Sequence, residues 1–176
     1  MNRYAIVAFT HHSTGLNNLD GFFADDAVLT DRLNSIKAGV KADGLMYLAT
    51  CNRLEFVFSL SAPAQENFAK NVISLFHPEW KEKEIKWALG NALVLNGEEA
   101  VKHIIEVASS LDSLIVGERE IITQVRQAYD WSNEKGLTDD FIRILVRKTI
   151  ETAKKVYTDT KIADKPVSVM SLACRK

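Results

Sequence analysis

The chain has 176 residues, 47% of them hydrophobic and 26% charged, with 22 basic against 23 acidic side chains and a formal net charge of −1. That length and apolar content suit one domain with a real core, or a domain plus the start of another, and the charge balance excludes a nucleic-acid partner held by bulk attraction rather than by a local basic patch. Two distant cysteines, Cys51 and Cys174, exclude a disulfide framework and a zinc knuckle and point to a reducing, cytoplasmic setting.

Taken in order, the N-terminal run Tyr4-Ala5-Ile6-Val7-Ala8-Phe9 is too short for a signal segment and reads as a buried first strand. No stretch is long enough to span a membrane. Positions 10–20 hold His11, His12, Ser13, Gly15 and two asparagines and read as a loop. A helix is predicted over 25–40, where Val28, Leu29, Leu33 and Ile36 recur at helical spacing. Strands follow over 45–50 and 54–60. In the latter Leu54, Phe56, Phe58 and Leu60 alternate with Glu55, Val57 and Ser59, the pattern of a half-buried strand. Joined within three residues, these two strands must be antiparallel neighbours. Ser61-Ala62-Pro63 reads as the start of a helix ending before Pro78, and 92–95 as a short fourth strand. The expected fold class is therefore α+β: a ferredoxin-like β-α-β-β-α-β unit whose middle hairpin carries Cys51 at its turn.

A helical layer is expected behind it. Asn96 with Glu99 resembles a capping box. Val101, Ile104, Ile105, Ala108 and Leu111 make one apolar stripe. Ile121, Ile122, Val125, Ala128 and Tyr129 mark the next helix, closed by Gly136, and Thr138 is taken as the cap of a third. Beyond Pro166 a new apolar segment begins, so 1–160 reads as one domain and 161–176 as a linker leading into another.

Cys51 lies in Ala49-Thr50-Cys51-Asn52-Arg53-Leu54-Glu55. A thiol near a guanidinium is a candidate nucleophile because a cation favours the thiolate. The alternative is a buried structural cysteine, which is the reading given to Cys174. Arg53 could supply that cation or grip a substrate carboxylate in a bidentate pair. Thr50 offers a hydroxyl, and Asn52 suits a tight turn because it tolerates left-handed backbone angles. A histidine base could come from His11, His12, His77 or His103; His77 reads as facing water, and His103, off the apolar stripe, as facing either a cleft or, by preference, water. No two of them stand one turn apart, so no metal site is expected. The segment 109–120 is dense in polar groups. Glu118, Glu120 and Gln124 fall on the first two turns of a helix, where they either complement its dipole or line a pocket for an ammonium or amide. Arg143, Arg147 and Lys154 share a helix face that suits phosphates or plain solvent, and Glu151 within it favours solvent. The eight glycines are isolated, without a dinucleotide fingerprint or a phosphate-binding loop.

The Cys51 segment together with Ala108-Ser109-Ser110-Leu111-Asp112-Ser113-Leu114-Ile115-Val116-Gly117-Glu118-Arg119-Glu120-Ile121-Ile122-Thr123-Gln124-Val125 strongly resembles the catalytic domain of the glutamyl-tRNA reductase family. The resemblance runs over nearly the whole chain. It implies a catalytic domain followed by a spine helix, an NADPH-binding domain and a dimerisation domain, with 161–176 as the linker and first helix of the missing NADPH-binding domain. It further implies that Cys51 attacks the ester of glutamyl-tRNA to give a thioester, which NADPH reduces to glutamate-1-semialdehyde in tetrapyrrole (haem) biosynthesis. Thr50, Asn52, Arg53, Ser113, Glu118, Glu120 and Gln124 match positions that hold the glutamyl group, and His103 matches a histidine important for activity. A cytoplasmic homodimer without a metal is implied for the full-length enzyme, with no reduction by these 176 residues alone. The chain departs from the family pattern at Glu120, where glutamine is common, and at Ser110 and Thr123, where glycines are common. Its first loop, Thr10-His11-His12-Ser13-Thr14-Gly15, matches the family's Asn-His-Lys-Thr-Ala-Pro loosely. The alternatives are a tRNA-binding or regulatory module that kept the fold and lost turnover, and a redox-sensing thiol.

Overall fold

Strands of alternating apolar side chains need a cover on each face, and the order of elements supplies two. The computed structural model describes residues 3–14, 19–113, 117–160 and 162. β1 (Tyr4–Thr10), β2 (Gly44–Thr50), β3 (Arg53–Ser59) and β4 (Leu93–Asn96) form one antiparallel sheet in the order β2-β3-β1-β4. β1 pairs with β3 from Tyr4–Ser59 to Thr10–Arg53, and β2 with β3 from Gly44–Ser59 to Thr50–Arg53. The helices are α1 (His11–Thr14), α2 (Asp26–Gly39), α3 (Phe68–Phe76), α4 (Glu82–Asn91), α5 (Glu98–Ala108), α6 (Glu120–Glu134) and α7 (Asp140–Asp159). The ferredoxin-like unit and the helical layer behind it are as expected. Residues 161–176, expected as the linker and first helix of an NADPH-binding domain, lie outside the described residues except for residue 162, and Cys174 lies outside them too.

One face of the sheet is aromatic. Phe9, Tyr47, Phe56 and Phe58 bury against Leu33 and Ile36 of α2 and Phe68, Val72 and Phe76 of α3. Phe56 meets Phe76 edge-on at 4.9 Å, and Phe58 meets Phe68 at 5.0 Å. Each such ring contributes roughly 1.5–3 kcal/mol by burial. The opposite face is aliphatic: Ile6, Ala8, Met46, Leu48 and Val57 bury against Ile104 and Val107 of α5, Val125 of α6 and Ile142, Val146 and Ile150 of α7. β3 is thus not half-buried. Its whole length is removed from solvent, Glu55 and Ser59 included, because the helical layer covers the face that alternation had assigned to water.

Other expectations shift for local reasons. Ser61-Ala62-Pro63 does not open a helix; α3 starts at Phe68 behind Asn67, where its first buried side chains meet the sheet. Asn96 does not cap α5, being held in β4 opposite Ala5, and Gly97 at φ 61° takes the cap position. Thr138 does not cap α7; the Asp139 carboxylate accepts from the Ile142 N–H at 2.8 Å. The predicted loop holds a short helical turn, α1, and a 3-10 turn over Asp20–Phe22. α4 had no counterpart in the sequence reading.

The outer edge of β2 is occupied. The Leu45 N–H donates to the Leu137 carbonyl at 3.0 Å and the Tyr47 N–H to Ser132 Oγ at 3.1 Å.

Candidate active site

Cys51 and Asn52 form the two-residue link between β2 and β3, and Cys51 is exposed with a free thiol. Two backbone contacts hold the link. The Asn52 N–H donates to Thr50 Oγ1 at 3.2 Å, and the Asn52 carbonyl accepts from the His11 N–H at 3.0 Å. Asn52 does not use a left-handed conformation: among the described residues Lys41 and Ser110 are the non-glycine positions with positive φ. The threonine hydroxyl makes the turn that a left-handed residue would otherwise have to make.

Behind the turn lies a chain of buried charges. Arg53, 2% exposed, donates through Nη1 to Glu55 Oε1 at 2.8 Å and to Asp112 Oδ2 at 3.2 Å, and through Nη2 to the Asp112 carbonyl. Glu55 Oε2 in turn stands 3.1 Å from His103 Nε2. His103 is therefore buried and paired rather than facing water. Burial alone would raise the Glu55 pKa, but the hydrogen bonds and charges of His103 and Arg53 outweigh it and hold the carboxyl below its ordinary value. For His103 burial works downward, and the Glu55 hydrogen bond and charge more than reverse it. Both groups are accordingly held as an ion pair. His103 Nε2 is engaged by Glu55, so His103 is joined to the Cys51 hairpin through Glu55 and Arg53.

The polar segment between α5 and α6 is tied to the same place. Asp112 fixes Ser113 beside the Arg53 end of β3. Ser110 sits at φ 58°, a strained conformation for a side-chain-bearing residue and the reason a glycine fits this position. Its Oγ accepts from the Gly117 and Glu118 N–H groups, each at 3.1 Å. The Glu118 carbonyl accepts from the Tyr157 hydroxyl at 2.8 Å. Glu118 precedes α6 rather than lying in it, and Glu120, the first residue of α6, is exposed. Gln124 lines a cavity of about 210 Å³ with Leu29, Tyr47, Ala49, Ala128 and Trp131, Ala49 being two residues before Cys51. Positions 114–116 lie outside the described residues.

Of the remaining candidates, His77 is buried rather than solvated. Its ring nitrogens lie 3.1 Å from Glu79 Oε1 and 3.1 Å from the Phe22 carbonyl, and the ring stacks on Trp80. Arg143, Arg147 and Lys154 are exposed on α7; Arg143 pairs with Asp140 and Arg147 with Glu151. Among the described residues no three His, Cys, Asp or Glu side chains are grouped to hold a metal ion, and no helix is long and apolar enough to cross a membrane. Sequence reasoning missed Glu55 and Asp112. The signal for Glu55 was a carboxylate inside an otherwise apolar strand.

A sheet clad on both faces, with an exposed thiol on a hairpin backed by a buried Arg–Glu–His chain, defines an α+β domain that presents a free thiol at its surface. Residues 7–160 match the family described as Glutamyl-tRNAGlu reductase, N-terminal domain, and the chain belongs to that family. It is similar to the glutamyl-tRNA reductase of Corynebacterium diphtheriae, with 32% identity over 169 residues covering 96% of this chain and 38% of that one. It is also similar to that of Syntrophus aciditrophicus, with 38% identity over 126 residues, 70% of this chain and 29% of that one. Among solved structures, glutamyl-tRNA reductase from Methanopyrus kandleri superposes with a TM-score of 0.77 at 29% identity, covering 98% of this chain and 39% of that one. The chain spans less than two fifths of the length of these relatives.

Proposed function

We propose that this chain is the acyl-transfer domain of a glutamyl-tRNA reductase. The Cys51 sulfur attacks the ester carbonyl that joins glutamate to tRNA. The S–C bond forms, the C–O bond breaks, and tRNA leaves with the thiol proton on its ribose oxygen. The ester is already activated, so holding the thiol in attack geometry supplies much of the rate. The observation that carries this reading is the exposure of Cys51 on a turn fixed from both sides, in a chain of this family.

Thr50 and Asn52 shape the turn. Ser113, Glu118, Glu120 and Gln124 would hold the glutamyl group. For Arg53 to grip the substrate carboxylate it would have to release Asp112, the more exposed of its two acidic partners. His103 acts by holding Glu55, and so Arg53, in place.

NADPH would supply the hydride that releases glutamate-1-semialdehyde. The isolated glycines of this chain do not fit a dinucleotide, so the reduction is assigned to the longer, homodimeric cytoplasmic protein. In that protein 1–160 would be the catalytic domain and 161–176 would lead into the next.

The test is to mix the chain with tRNA charged with radiolabelled glutamate. We expect label on the protein that hydroxylamine removes, released tRNA in equal amount, and neither with Cys51→Ala. Equal labelling of Cys51→Ala would overturn the reading.

A further inference from the structure

The acyl transfer written above moves a proton from sulfur to ribose oxygen, and four histidines compete to carry it. Three are excluded by their surroundings. His77 is fixed between Glu79 and the Phe22 carbonyl in the aromatic core, His103 is paired with Glu55, and His12 points into solvent.

His11 differs from all of them. It follows β1 directly, just past the last register pair Thr10–Arg53, and Asn52 beyond that pair is one residue from Cys51. Its backbone N–H holds the Asn52 carbonyl at 3.0 Å. Cys51 is the neighbour of Asn52 in the turn, so this contact brings the His11 backbone within one residue of the thiol. Both ring nitrogens are shut off from water, and neither makes a hydrogen bond. The residue as a whole is half-buried, so the imidazole lies at the rim of the fold with its nitrogens turned away from water. The ring rests against His12 at 3.8 Å between centroids.

We propose that His11 is the proton carrier of the acyl transfer. Its neutral imidazole takes the Cys51 thiol proton as the S–C bond forms and returns it to the ribose oxygen as the C–O bond breaks. The inference rests on the acyl-transfer reading. Its electrostatic setting suits the role: burial lowers the His11 pKa, the charges of His12 and Arg53 add to the lowering, and Asp112 and the Asn52 carbonyl, close to the ring though outside hydrogen-bonding geometry, oppose it. The imidazole is therefore a base at neutral pH, and general acid–base catalysis of this kind contributes about 10²–10⁴-fold.

The experiment compares His11→Gln with the parent chain on two substrates, charged glutamyl-tRNA and the α-(4-nitrophenyl) ester of glutamate. Nitrophenolate leaves without a proton, whereas ribose does not. We expect acylation of Cys51 by glutamyl-tRNA to fall on the order of 10²-fold in the variant and acylation by the nitrophenyl ester to fall much less. The parent pH–rate profile should show an inflection below the ordinary histidine value that the variant loses. Wild-type rates in His11→Gln, or equal losses on both esters, would overturn the role of His11 while leaving the acyl-transfer reading intact. No acylation of Cys51 in the parent chain would overturn both.

Discussion

Arg53 and Glu55 leave β3 on the same face, two residues apart, and a guanidinium nitrogen of the first stands 2.8 Å from a carboxylate oxygen of the second with both side chains almost wholly removed from water. The pair is held between two further groups, Asp112 on the outer side and His103 on the inner. Taking charges out of water costs several kcal/mol per ion, and only such complete pairing offsets it. The arrangement holds the base of the Cys51 hairpin in one geometry.

Glu55→Gln keeps the shape and removes the charge. Arg53 and His103 are then buried without their shared counter-ion, and removing one member of a buried pair costs about 3–5 kcal/mol. We expect a loss of that order in urea unfolding at pH 6, with the His103 pKa falling in an NMR titration. A change below about 1 kcal/mol would mean that the pair behaves as an exposed one.

Stability should fall as pH rises past neutrality. The His103 pKa is raised from 6.5, so its contribution is complete below 6.5 and is lost as pH climbs through the raised value. The Glu55 pKa is lowered from 4.5, so its contribution is complete above 4.5 and is lost in acid as pH drops through the lowered value. Both shifts describe one interaction, which is greatest between those two limits. His11, lowered from 6.5, works the other way and costs stability below 6.5. The clean test therefore lies above 6.5. There the urea midpoint should decline with pH in the parent chain and flatten in His103→Gln; a decline of equal slope in both would remove His103 as the cause.

Gly44 is a close-approach position. A Cβ there would stand 2.5 Å from Asp139 Oδ1 and 2.7 Å from Ser59 Oγ, and Asp139 is the cap of α7. Gly44→Ala must push that carboxylate off the Ile142 N–H. We expect a loss of about 1–3 kcal/mol in thermal melts from overpacking and the weakened cap. Gly90→Ala in α4, where nothing lies within 4 Å, should instead gain roughly 0.5–1 kcal/mol. Matching melts for the two variants would contradict this account.

What was legible from sequence was local. The apolar run of 45–50, the alternation in 54–60 and the spacing of Leu29, Leu33 and Ile36 gave the hairpin and α2 nearly to their observed limits, because each pattern is carried by its own residues. α4 was not legible: a buried Ala88 with partly covered Ile85 and Leu89, amid five charges from Lys81 to Lys86, is too thin a stripe to register. The caps at Asn96 and Thr138 were misplaced because pairing with Ala5 and capping by Asp139 fixed those boundaries. Glu55 and His103 looked solvent-facing for one reason: the layer that buries Glu55 arrives more than 40 residues later in the chain. The Cys51 turn was found from its neighbours, but the Arg53–Asp112 contact joins segments 59 positions apart and no spacing rule reveals it.

The strand that ends at Thr50, just before Cys51, has its outward donors at Leu45 and Tyr47 already committed to Leu137 and Ser132. A foreign polypeptide therefore cannot extend the sheet on that side without first evicting the α6 end of the molecule. The sulfur is offered at the hairpin tip and not along an open sheet edge.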